Sequence, residues 1–81
     1  MPVRALQRLC DFPAGQRVMI REAQDDNPQR LRRWRELGLI PGALIRIVSH
    51  EPLDNLFEIE VGSRIVRLGP EALAGLRGEV A

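Results

Sequence analysis

The feature of this 81-residue sequence that most restricts its fold is a change of apolar spacing at Pro41-Gly42. Beyond that dipeptide, Ala43, Ile45 and Ile47 fall on one face of an extended chain, with positions 44, 46 and 48 on the other. Apolar residues alternate with charged ones through 57–61, and a return segment follows over 64–68. Alternation with a period of two places apolar side chains on one face and is typical of half-buried strands. Gly62-Ser63, between the last two segments, suits a hairpin turn with glycine first. The second half of the chain is therefore predicted to consist of short antiparallel strands.

Upstream of the same dipeptide, the spacing is that of a helix. Leu31, Trp34 and Leu37 recur every third residue and share one helical face. Asn27-Pro28 supplies a capping side chain and then a proline at the first helical position, and the glycine at position 38 suits a left-handed stop. The sequence predicts one helix, over residues 28–37.

Shorter signals complete the predicted architecture. We expect one or two helical turns within 6–12, a strand within 16–23, another helical turn near 71–76 and a last strand over 76–80. A chain of this length has room for one small core. The prediction is a mainly β fold, a small antiparallel barrel of about five strands, with an α-helix inserted after the first strand.

Composition excludes several classes of protein. The 12 basic residues, all arginine, nearly balance 11 acidic ones, so the formal net charge of +1 argues against a strongly basic nucleic-acid module. No apolar run approaches the roughly 20 residues of a membrane span. The N-terminus lacks the apolar core of a secretory signal, so we expect a cytoplasmic protein. Cys10 is the single cysteine, so an intramolecular disulfide is excluded.

Candidate catalytic and metal-ligating side chains are few. Cys10 and His50 would form a nucleophilic pair only if they met across the fold, and neither has an obvious orienting partner. His50, Glu51 and Asp54 share one loop, but such neighbours are usually solvated and make a weak ligand set. We expect no enzymatic activity, no cofactor and no tight metal site, and we leave a weak site at His50 open.

The strongest positive signal is an arginine-rich helix, with four arginines in six positions. Arg30 and Arg33 lie three residues apart, share a face and could steer the chain toward an acidic protein surface. Trp34 and Leu39 would supply an apolar anchor, although the spacing of Trp34 with Leu31 and Leu37 favours a core position for it. The predicted partner-binding region is the helix with the turn at 39–42, and its residues are Arg30, Arg33, Trp34, Leu39 and Pro41.

Several motifs give the chain a resemblance to a known family over residues 9–80. The opening pattern is Leu9, Phe12 and Gly15, and the most specific motif is the helix end Leu37-Gly38-Leu39-Ile40-Pro41-Gly42. The apolar strand, the Pro-Leu loop and a Leu-x-x-Glu-Ala pattern follow at Leu44–Val48, Pro52-Leu53 and Leu68–Ala72. In these motifs the chain resembles FeoA, the small cytoplasmic protein of bacterial ferrous iron uptake. It is more loosely similar to the SH3-like domain that ends DtxR-type metal regulators.

Two departures from the family pattern stand out. Trp34 occupies a position where an aliphatic residue is usual, and Asn55-Leu56 replaces the usual Asp-Pro. The first change lies on the predicted partner surface. The second weakens any inference about the shape of its loop.

The resemblance implies a single FeoA/SH3-like domain over residues 1–81, with residues 1–8 outside the family pattern. It implies a binding module that acts on FeoB, the membrane ferrous transporter with a cytoplasmic GTPase domain. Alternatives are an SH3-like module of a metal-dependent regulator, a nucleic-acid-associated protein and a small metal chaperone. We expect no nucleic-acid partner and no direct insertion into the membrane, and weak self-association stays open.

Overall fold

The computed structural model describes residues 6–81, which form six strands, two helices and one 3₁₀ turn. The elements in chain order are β1 (Gln7–Arg8), the 3₁₀ turn (Leu9–Asp11), β2 (Arg17–Ala23), α1 (Pro28–Leu37), β3 (Leu44–Glu51), β4 (Leu56–Val61), β5 (Arg64–Leu68), α2 (Pro70–Leu73) and β6 (Leu76–Val80). The predicted mainly β class is confirmed. The structure has one strand more than the predicted five, the two-residue β1, which comes first in chain order. The helix therefore follows the second strand instead of the first.

One antiparallel sheet contains all of these strands, in the order β1-β6-β2-β3-β4-β5. Successive strands from β2 to β5 are neighbours, and β6 returns to lie between β1 and β2. Within residues 6–81, β1 and β5 end the sheet and are not paired with each other. The short α2 contacts both β5 and the 3₁₀ turn beside β1, and it therefore spans this gap.

The core is a single cluster of apolar side chains on the inner face of the sheet, closed by the helices and turns. Its buried members are Leu9, Phe12, Val18, Ile20, Trp34, Leu37, Leu39, Ile45, Ile47, Phe57, Ile59, Leu73 and Leu76. The strand residues in this set confirm the period-two prediction, since Ile45 and Ile47 are buried while Leu44 is 51% exposed. Fully burying one such aliphatic side chain contributes about 1.5–3 kcal/mol.

Two register shifts bend the sheet around this core. One lies in β2 between Ile20 and Glu22, opposite β6, and the other lies in β3 between Ile47 and Ser49, opposite β4. An extra residue on one strand increases the local twist and bends that strand. Gly78 pairs with Ile20 at the first shift, where an added Cβ would lie 2.7 Å from Cγ1 of Val18. This close approach of β6 to β2 accounts for a glycine inside the strand.

Candidate functional site

The start of α1 is fixed by two side chains that bond to the backbone. The side chain of Asn27 accepts a hydrogen bond from the backbone N–H of Gln29 at 2.9 Å, which caps the helix. Asp25 in turn accepts from the backbone N–H of Asn27 at 2.7 Å. The helix then begins at Pro28. Proline lacks a backbone N–H, but at the first helical position that group would have no partner within the helix, so no hydrogen bond is lost.

Asp25 also binds the first arginine of the helix. Its Oδ2 accepts from Nη1 of Arg30 at 2.7 Å. The pKa of Asp25 is lowered below its ordinary value, first by the hydrogen bond from the N–H of Asn27 and then by the guanidinium of Arg30. The guanidinium of Arg30, one of the predicted partner-binding residues, is thus engaged by a carboxylate of its own chain.

The turn after α1 is held by left-handed glycines and by bonds to β2. Gly38 has φ of 84° and Gly42 has φ of 92°, a region that glycine enters without steric cost. The N–H of Gly42 donates to the carbonyl of Ile20 at 2.7 Å, and the N–H of Ile20 donates to the carbonyl of Ala43 at 2.9 Å. These bonds fix the turn beside the helix and decide which of its side chains point outward.

Trp34 and Leu39 are core residues, so the core position that the spacing favoured for Trp34 is confirmed, while Leu39 lies inside the molecule instead of forming an exposed anchor. Trp34 is 2% exposed and Leu39 is fully buried. The indole Nε1–H of Trp34 donates to the carbonyl of Ala72 in α2 at 2.7 Å, so its polar edge is bonded inside the molecule. An exposed apolar anchor cannot come from these two side chains. Among their neighbours, Ile40 is 43% exposed and Pro41 is also exposed.

A groove of about 320 Å³ runs between α1, the end of β2 and the turn. The side chains that line it are Ala23, Leu31, Trp34, Arg35, Leu39, Ile40 and Pro41. Three of the five predicted partner-binding residues therefore line one surface feature, with Trp34 and Leu39 as its buried floor and Pro41 on its rim. The predicted Arg30 and Arg33 do not line it.

The remaining arginines of α1, which are Arg32, Arg33 and Arg35, are exposed. Within residues 6–81, no Asp or Glu oxygen lies within 4 Å of the guanidinium nitrogens of Arg32, Arg33 or Arg35. Arg33 and Arg35 are two residues apart and so point about 200° away from each other around the helix. Arg35 lines the groove, and Arg32, three residues earlier, lies on the same side. The spacing of Arg35 from Leu31, four residues apart, is the sequence signal that would have identified it.

The other candidate side chains have structural partners or stand apart from any ligand cluster. His50 stacks on Phe57 with ring centroids 4.2 Å apart, and its Nε2 is 2.8 Å from Oδ1 of Asn55. Glu51 accepts from the backbone N–H of Leu53 at 2.9 Å, which braces the turn. No group of three or more His, Cys, Asp or Glu side chains within residues 6–81 is arranged to hold a metal ion.

Comparison with known protein families decides the classification. The FeoA domain family matches residues 7–80, nearly the whole chain and two residues further toward the N-terminus than the motifs indicated. The chain belongs to the FeoA family. No curated protein sequence matches it. The helix-and-turn surface is thus a feature of a FeoA domain.

Solved structures confirm the SH3-like fold. A manganese-dependent transcriptional repressor matches all of this chain with a TM-score of 0.88 at 18% identity, over 45% of its own length. A FeoA described as an iron uptake regulatory protein matches 95% of this chain and 99% of its own, with a TM-score of 0.82 at 16% identity. FeoA from Chlorobium tepidum matches 91% of this chain and 70% of its own, with a TM-score of 0.81 at 22% identity.

The two kinds of relative differ in how much of them the chain covers. It spans less than half of the repressor and nearly all of one FeoA protein. At these identities the likeness establishes the fold, while the family match establishes the FeoA domain. Within residues 6–81, no helix has the length and apolar character needed to cross a bilayer.

Proposed function

We propose that this chain is a small cytoplasmic accessory protein of ferrous iron uptake that binds a FeoB-like membrane transporter carrying a cytoplasmic GTPase domain. The observation that carries the proposal is the FeoA match over residues 7–80. A FeoA protein described as an iron uptake regulator shares the fold over nearly its full length, which supports the same setting.

Action by binding, without catalysis, suits the side chains present. His50 is held by Phe57 and Asn55, and Glu51 is held by its own turn. A binding module needs no reactive group, because a partner that prefers one conformation of a two-state protein shifts its population toward that conformation. The GTPase domain of the transporter cycles between nucleotide states and offers such an equilibrium.

The surface proposed for this role is the helix with the turn at 39–42. Pro41 lies exposed on that surface, while Trp34 and Leu39 support it from the core. Arg30 and Arg33 stay part of the proposed region, with Arg30 also bonded to Asp25. Exposed arginines beside an apolar groove suit an acidic protein surface, because charge complementarity speeds encounter and fixes orientation.

A second candidate is an SH3-like module that works with a metal-dependent transcriptional regulator. It is favoured by the TM-score of 0.88 with the repressor, over the whole of this chain. Both candidates share the fold, so only a functional measurement separates them.

Ferrous iron uptake in a strain that lacks this gene is the test. We expect uptake under reducing conditions to fall and to recover when the chain is supplied from a plasmid. Unchanged uptake would contradict the proposal. Unchanged uptake together with altered metal-dependent transcription would favour the regulator module.

A further inference from the structure

The groove beside α1 combines an apolar wall with one guanidinium. Leu31 on the helix and Ile40 and Pro41 on the turn are partly or well exposed and form the wall. At about 320 Å³ the groove is at the small end of the range for ligand pockets. This volume suits one or two side chains of a protein segment better than an organic cofactor.

Arg35 gives the groove a positive charge that is not paired with a carboxylate within residues 6–81. Within residues 6–81, no carboxylate oxygen is within 4 Å of this guanidinium or of that of Arg32 on the same side of the helix. Many other arginines are paired: Arg8 with Asp11, Arg21 with Glu79, Arg30 with Asp25, Arg46 with Glu60 and Arg67 with Glu58. The free donors of Arg35 suit a carboxylate, which a guanidinium binds in a two-pronged geometry.

We propose that this groove binds a segment of the transporter's cytoplasmic portion that carries one large aliphatic side chain flanked by carboxylates. The aliphatic side chain packs on Leu31, Ile40 and Pro41, and the carboxylates pair with Arg35 and Arg32. This inference rests on the proposed function and names the chemistry that the partner must present.

A protein segment suits the surface better than a lipid headgroup. The apolar side chains line a concave groove, whereas insertion into a bilayer needs side chains that project. The basic charge is also not concentrated on one side, since Arg33 points away from the groove and Asp25 and Asp26 precede the helix. The formal net charge of only +1 gives little general attraction to an anionic membrane.

Calorimetric titration of the chain with the soluble cytoplasmic domain of the FeoB-like transporter from the same organism tests the inference. The groove variants are Arg32→Glu with Arg35→Glu, and Ile40→Ser. The matched controls are Arg17→Glu with Arg77→Glu, and Ile65→Ser, all exposed positions outside the groove lining. Circular dichroism verifies that each variant is folded. Because Arg32 and Arg35 are exposed, their double variant tests the groove without relying on Ile40→Ser.

We expect each groove variant to bind at least about tenfold more weakly than wild type, with the controls within about twofold. Added salt should weaken the wild type more than the arginine variant. In the ¹⁵N spectrum of the labelled chain, the single indole N–H signal of Trp34 at the groove floor should shift on binding.

Three results would overturn the inference, and they are distinguishable. Wild-type affinity in the folded groove variants would show that the groove is not the binding site and would leave the proposed function intact. Absence of any binding by the wild-type chain would contradict both the groove as binding site and the proposed function. Sedimentation with phosphatidylglycerol vesicles that depends on Arg32 and Arg35 would identify a membrane as the occupant.

Discussion

The indole of Trp34 links two elements that are far apart in the sequence. Its Nε1–H donates to the carbonyl of Ala72 at 2.7 Å, and its ring lies within the core. Trp34→Phe keeps an aromatic ring but leaves that carbonyl without its donor. We expect a loss of roughly 1–3 kcal/mol in the free energy of unfolding, against roughly 3–5 kcal/mol for Trp34→Ala. Urea denaturation measures both, and wild-type stability in either variant would contradict a core role.

A glycine is required at position 75 because neighbouring atoms lie too close to leave room for a side chain. An added Cβ would collide with the backbone carbonyl of Gln24 and would lie 2.8 Å from Cη2 of Trp34. We expect Gly75→Ala to cost roughly 1–3 kcal/mol through overpacking, measured by thermal or urea unfolding. Gly69→Ala is the matched control, because the nearest atom to its Cβ would be the carbonyl oxygen of Asn55 at 4.0 Å. A control that loses as much stability as Gly75→Ala would refute the steric explanation.

At the scale of single residues, the sequence indicates which helix positions are buried better than it indicates which side chains bond to each other. The three-residue spacing placed Trp34 and Leu37 on one helical face, and both are buried. It could not choose between Leu39 and Ile40, because their directions depend on the left-handed glycines and on bonds from the turn to β2. It also selected Arg30, whose pairing with Asp25 depends on the fold of the preceding loop.

The start of α1 is the element whose stability depends most clearly on pH. The pKa of Asp25 is below its ordinary value because the N–H of Asn27 and the guanidinium of Arg30 favour the ionised carboxylate. A group whose pKa is lower in the folded state stabilises the fold above its unfolded pKa, here about 4. That contribution is lost as the pH falls through the lower, folded-state pKa.

Asp25→Asn should therefore remove part of the acid sensitivity. We expect this variant to be less stable than wild type at neutral pH, and the difference to shrink as the pH falls from about 5 to about 2. Urea unfolding across that range is the measurement. Asp26→Asn is the matched control, because it also removes one negative charge but leaves the bonds of Asp25 to Asn27 and Arg30 in place. A pH-independent difference for Asp25→Asn would contradict the linkage.

Elements with strong local signals were predicted closely, and those that depend on distant pairing were not. The helix bounds of 28–37 are confirmed because the cap, the proline and the stop glycine are all local. The strand β1 was not predicted, because its two residues are defined only by pairing with β6 at the far end of the chain. The strand β3 continues to Glu51, beyond the predicted end, because it stays paired with β4 after a register shift.

For the whole molecule, we expect the chain to bind ferrous iron only weakly. Within residues 6–81, no three side chains of the ligating types are arranged around one point, and a tight site needs at least that number. Anaerobic calorimetry with ferrous iron should show no site of micromolar affinity, which corresponds to about 8 kcal/mol. One such site per chain would contradict this prediction and would favour a metal chaperone.

The mainly β class could be predicted from the residue pattern and the SH3-like fold from the family resemblance, while the groove could not be predicted. Alternating strands and one capped helix define the class without any knowledge of contacts. The groove exists only where α1, the end of β2 and the turn come together, and its lining combines residues 23, 31–35 and 39–41. The sequence therefore indicates the region that contains the groove, and the structure is needed to place Arg35 and Ile40 in its lining.

We propose that this FeoA-family domain acts by binding a FeoB-like transporter. The most direct test is the affinity of the purified chain for the whole transporter reconstituted in lipid nanodiscs, with empty nanodiscs as the control. We expect saturable binding that weakens with added salt, because arginines beside the groove contribute to it. Absence of saturable binding at chain concentrations up to about 100 µM, or equal binding to empty nanodiscs, would contradict the claim.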